Sequence, residues 1–171
     1  CKICHPLIHF HAYPEIPYFH VDLTANGDIP SSVAFFEPWG TTAGTSSMQI
    51  VYEHPNSFAY ASGYIDSTDG LGVLGTYMIV GNFRCQRSDT GAAITIGFHR
   101  RNSSAKYTFA QAVIPAGTAS TTATVSLSVI APFTNAADTF YFDATSAYTT
   151  TKAIMYGGGG NSNISFVRLG A

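Results

Sequence analysis

The chain has 171 residues, enough for one domain that buries roughly 70% of the surface its unfolded form exposes. Hydrophobic residues make up 46% and charged residues only 11%, against about 25% in an ordinary globular domain. A net charge of −2, with Lys only at Lys2, Lys106 and Lys152, argues against phosphate-driven nucleic-acid binding, and no run is long and apolar enough for a membrane-spanning helix.

Residues 1–16 come first and differ from the rest. They are rich in His and Pro and keep no period, so they read as an N-terminal arm or linker. The sequence opens on Cys and shows no signal peptide, so the expectation is a processed or trimmed product. Residues 17–171 read as a single domain of short strands. Runs of Val, Ile, Phe, Tyr and Thr alternate there with Gly, Asn, Asp, Ser and Pro clusters.

Strands are expected at Tyr18 to Thr24, ending in a turn at Asn26-Gly27-Asp28, and at Ser47 to Glu53. A further strand is expected at Phe58 to Ile65, running into the loop Asp66-Ser67-Thr68-Asp69-Gly70. Thr76 to Cys85 alternates, with Tyr77, Ile79, Phe83 and Cys85 on one face. Ala93 to Arg100 places Ile94, Ile96 and Phe98 together, and Tyr107 to Ile114 stops at Pro115. Thr122 to Ile130 sets Val125, Leu127 and Val129 against a Ser/Thr face. Thr139 to Ala144 and Asn163 to Leu169 complete the set. No window makes a convincing helix, because Leu, Glu and Lys are scarce and β-branched residues abundant. The fold class is therefore all-β, an antiparallel sandwich or closed barrel. Strand edges so poor in charge are expected to be covered, by closure or by neighbouring subunits.

The C-terminal half resembles the jelly roll of tumour necrosis factor and of complement heads. The resemblance covers residues 58–171. It rests on Gly75-Thr76-Tyr77-Met78-Ile79-Val80, on Ile94 to Phe98 followed by Arg-Arg-Asn, and on Val125 to Val129 before Asp138 to Phe142. The closing run Asn163 to Leu169 adds to it, while Ala137 departs from the family's Gly. The resemblance implies an antiparallel jelly-roll sandwich that assembles as a homotrimer. It also implies a secreted ligand head, or a receptor-binding or decoration head on a virion. The Lys-poor, Ser/Thr-rich surface and the arm favour the virion form, and place the chain extracellularly or on a virion surface.

For chemistry, the arm holds the sharpest motif. Cys1-Lys2-Ile3-Cys4-His5 has the spacing of covalent haem c attachment, with His5 as proximal ligand. Such motifs sit at helix starts, and here Pro6 follows. Cys1, Cys4, His9 and His11 alternatively make a Cys₂His₂ zinc set, with short spacing. His9-Phe10-His11 puts two imidazoles on one side of a strand, and three copies around an axis would supply six ligands for a transition metal. The favoured reading is an arm whose Cys are free, disulfide-bonded or points of attachment, with no cofactor. Asp66 and Asp69 supply two carboxylates to a calcium loop, yet Asp and Gly are also what a plain turn needs. Arg100 and Arg101 read as a solvated strand end, and His99 as structural or solvated near a strand end. Gly157 to Gly160 reads as a flexible loop. Trp39, Tyr148 and Tyr156 are surface aromatics suited to an interface or to glycan stacking. No nucleophile elbow or metalloprotease motif occurs, and Glu appears only at Glu15, Glu37 and Glu53, so no enzyme activity is expected. Cys85 is expected as a buried free thiol. The expected partners are copies of the chain itself and a neighbouring virion protein, cell-surface protein or glycan. A haem electron-transfer protein and an adhesin are the alternatives.

Overall fold

The computed structural model describes residues 18–23, 26–29, 48–53, 59–61, 64–66, 74–87, 93–102, 105–135, 138–147, 153–158 and 161–170. They form β1 (Tyr18–Leu23), β2 (Gly27–Ile29), β3 (Met48–Glu53), β4 (Ala59–Ala61), β5 (Tyr64–Asp66) and β6 (Gly75–Gln86). The later strands are β7 (Ile94–Asn102), β8 (Ala105–Ile114), β9 (Thr122–Phe133), β10 (Asp138–Ser146), β11 (Ala153–Met155) and β12 (Asn163–Gly170). No helix occurs among the described residues.

The strands make two antiparallel sheets. The first has the order β2-β11-β6-β12-β1-β3, with β9 on the other side of β6. The second has the order β4-β5-β10-β7-β8. Strands distant in sequence lie side by side, as in β1 beside β12 and β5 beside β10, which is jelly-roll topology.

Period-2 alternation places the core. Tyr77, Ile79, Phe83 and Cys85 of β6 point inward with Leu127, Ala131 and Phe133 of β9 and Ile164 and Phe166 of β12. Ile94, Ile96 and Phe98 of β7 and Phe140, Phe142 and Ala144 of β10 answer from the second sheet. The two layers meet ring to ring. Phe83 contacts Phe98 with centroids 5.9 Å apart, and Phe140 contacts Phe166 edge-on at 4.9 Å. Gly81 holds the inward position between Ile79 and Phe83. A Cβ there would meet the tip of Phe98 at 2.6 Å, so only glycine lets that ring come so close.

Four local expectations change. Gly27 and Asp28 are not a turn but part of β2, which pairs with β11. Phe58 to Ile65 is not one strand: β4 and β5 pair with each other through Tyr60 and Ile65. β11, unforeseen in the sequence, fills the sheet beside the end of β6. β9 runs on through Pro132, a residue that sheets confine largely to edge strands because it has no N–H to give a ladder.

Candidate interaction face

The outward side of the first sheet is its least expected surface. Alternation turns Met78, Val80, Asn82, Arg84 and Gln86 of β6 away from the core, and the strand pairings then line up rows across the sheet. Met78 lies opposite Ile130 of β9 on one side and Val167 of β12 on the other. Val80 lies between Ser128 and Ser165, and Asn82 between Ser126 and Asn163. β1 continues the last two rows with His20 and Asp22. The face thus grades from apolar to polar.

At the apolar end, Ile130 is 63% exposed and Met78 38%. Met78, Ser128, Val129 and Ile130 line an open, mainly apolar concavity there. Met78 and Ile130 thus stand exposed and side by side, which makes this end of the face a candidate contact surface. At the polar end the side chains bond one another. The Ser126 hydroxyl donates to Asn82 Oδ1 at 2.6 Å, and Asn82 Nδ2 donates to Asn163 Oδ1 at 3.4 Å. His20 lies 2.7 Å from the Ser165 hydroxyl and 3.1 Å from Asp22. Beyond these rows, Arg84 donates to Asn161 Oδ1 and stacks over Tyr156, whose hydroxyl donates to Gln86 Oε1.

The loop before β12 is tied down where it is described. Gly158, at φ 73°, occupies the left-handed region that favours glycine, and its N–H donates to the Leu23 carbonyl at 2.6 Å. Asn161 Nδ2 donates to the Gly157 and Gly158 carbonyls. Gly157 and Gly158 are therefore held in place, against the flexible reading of this run.

The edges beside the face are also bare. Among the described residues β9 pairs only with β6, and β8 only with β7. β9 carries no charged residue in twelve, and β8 exposes Tyr107 and Val113.

The second sheet holds a buried polar row. His99 lies within β7, not near its end, and is 3% exposed. Its Nε2 is 2.8 Å from Asp143 Oδ1 and its Nδ1 is 3.1 Å from the Thr108 hydroxyl, so one imidazole ties β10, β7 and β8 together. Arg100 is not a solvated strand end either. It sits 3.7 Å from the buried Asp138 carboxylate and over the Tyr107 ring at 5.0 Å. Burial pushes the Cys85 thiol up to about 12, which makes it an inert free thiol. Burial also raises Tyr77, and the nearby Arg168 opposes that shift.

Of the residues singled out in the sequence, Tyr156 is described, half-buried and engaged by Arg84 and Gln86. Asp66 closes β5, with its backbone in register with Ala59 and Thr139, rather than lying inside the following loop. Cys1, Cys4, His5, His9, His11, Trp39, Asp69 and Tyr148 lie outside the described residues. Among the described residues no three His, Cys, Asp or Glu side chains gather as a metal set. The Met78–Ile130–Val167 row was missed in the sequence, because it exists only through strand register.

No protein-family model and no curated protein matches the chain. Solved structures do. Murine APRIL superposes with a TM-score of 0.65 at 10% identity, over 91% of this chain and 100% of that one. Eiger TNF from S. frugiperda gives 0.58 at 15% identity, over 90% and 91%. The globular domain of zebrafish complement 1qA protein gives 0.58 at 11% identity, over 91% and 98%. The chain has the jelly-roll fold shared by these tumour-necrosis-factor and complement-head domains.

Proposed function

We propose that the chain is a non-catalytic head that works as a homotrimer, with the β6–β9–β12 face of each copy packed against a neighbouring copy. The observation that carries this reading is the open apolar row of Ile130, Met78 and Val167, which holds no charged side chain, at one end of a face whose charged groups, Asp22 and Arg84, lie toward the other. Tyr107 and Val113 are exposed elsewhere, on β8. Contact between two different surfaces of one chain is heterologous, and it closes into a ring when the rotation fits. The family resemblance supplies three as the number. Low charge and bare edges fit the same arrangement, because covered surfaces do not need charge to keep strangers away.

The head is placed outside the cell, on a virion or as a fibre or decoration head, and residues 1–16 act as the arm that reaches a neighbour or the particle. Support for this comes from the near absence of Lys and the richness in Ser and Thr. Sedimentation of the native protein tests the assembly: a trimer is expected, and a stable monomer at micromolar concentration overturns the reading.

A further inference from the structure

Asn82 stands at the centre of the polar row. A carboxamide has two N–H donors and an oxygen with two lone pairs. Its bonds to Ser126 and Asn163 use one donor and one lone pair. The other donor and the other lone pair are left for whatever covers the face. The adjacent row toward the apolar end keeps Ser128 and Ser165 at its flanks but changes its centre, and the row beyond it is apolar throughout. One step toward the apolar end the central residue is Val80, and two steps away it is Met78.

Hydrophobic contact has no direction, so the apolar end accepts a neighbour at many offsets. The Asn82 row does not. A neighbour shifted by one row sets aliphatic groups against the carboxamide and strands its free donor and acceptor away from water. A single polar side chain in an otherwise apolar seam fixes register and copy number in the same way in coiled coils.

We propose that Asn82, supported by Ser126, fixes the register in which copies of this chain assemble. The inference rests on the trimeric reading above and names the residue that makes the assembly unique. Ser126 and Asn82 are positioning residues, because they select among arrangements that the apolar end alone would permit.

Native mass spectrometry of the full chain tests this with Asn82→Val and Ser126→Val. Wild type is expected as one trimeric species. Asn82→Val is expected to remain assembled but to spread over several oligomers, with the non-trimeric share rising about tenfold, the discrimination of roughly one buried polar group. Ser126→Val, on an exposed strand position that accepts a β-branched residue, should show a smaller rise and decides the matter if Asn82→Val does not fold. A trimeric wild type with folded variants just as uniform overturns this proposal and leaves the trimer standing. A monomeric wild type overturns both.

Discussion

Replacing Ile130 by Asp sets a carboxylate in the apolar row without touching the core. Ile130 is 63% exposed in the single chain, so that share of the side chain is available to be buried by assembly. Full burial of an Ile is worth about 1.5–3 kcal/mol, and the exposed share therefore about 1–2 kcal/mol per copy. Three copies sum to about 3–6 kcal/mol, which lowers the trimer association constant by roughly 10²–10⁴. An unpaired carboxylate in the seam adds to the loss. Folding of the single chain should survive, because the side chain points away from Leu127 and Ala131 and the remaining cost is at most about 1 kcal/mol of strand preference. Sedimentation velocity across a dilution series reads the association, with far-UV circular dichroism to confirm the fold. Ile130→Val is the control that should still assemble. A folded Ile130→Asp protein that sediments as wild type down to nanomolar concentration would refute the reasoning.

Three further outcomes follow from the interior. Phe98→Ala removes a fully buried ring that contacts Phe83 and Phe140, and should destabilise the chain by about 3–5 kcal/mol in urea unfolding; a loss under about 1 kcal/mol would mean the two sheets do not meet there. Gly97→Ala drives a methyl into the buried His99 ring and toward Asp143, so it should cost about 1–3 kcal/mol, and an unchanged melting temperature would contradict the buried row. The thiol of Cys85 ionises near 9 when unfolded and is pushed to about 12 when folded. Above pH 9 the unfolded chain holds fewer protons, so this group's contribution to stability is complete below pH 9 and is lost as pH rises toward 12. Cys85→Ala should flatten part of that alkaline loss, leaving the part due to Tyr77, and identical pH profiles for the two proteins would exclude the effect.

The long strands were legible because burial alternates over enough residues to show a period. β6 and β9 carry that signal across twelve positions each. Three-residue strands cannot. β2 and β11 are formed by their pairing with each other, and Asn26-Gly27-Asp28 reads locally as a turn. β4 and β5 merged in the reading although Ser62-Gly63, a turn dipeptide, lies between them. His99 was legible as structural or solvated, with nothing local to decide between the two. Asp143, forty-four residues away, meets it in a buried pair. The interaction face was missed for the same reason. Met78, Ile130 and Val167 look like unrelated strand residues until β6 is seen between β9 and β12.

Pro132 bears on how growth of the proposed assembly would stop. A bare strand edge is a template on which another chain can zip, one amide after another, into an endless ribbon. β9 is a twelve-residue edge with no charge to prevent this. Pro132 lies two residues from Ile130 and offers no hydrogen for the next strand to accept. A chain adding along β9 would meet that residue close to the exposed Ile130. Under the proposed assembly, contacts there would run through side chains, and side-chain contacts can close a ring with a finite number of members.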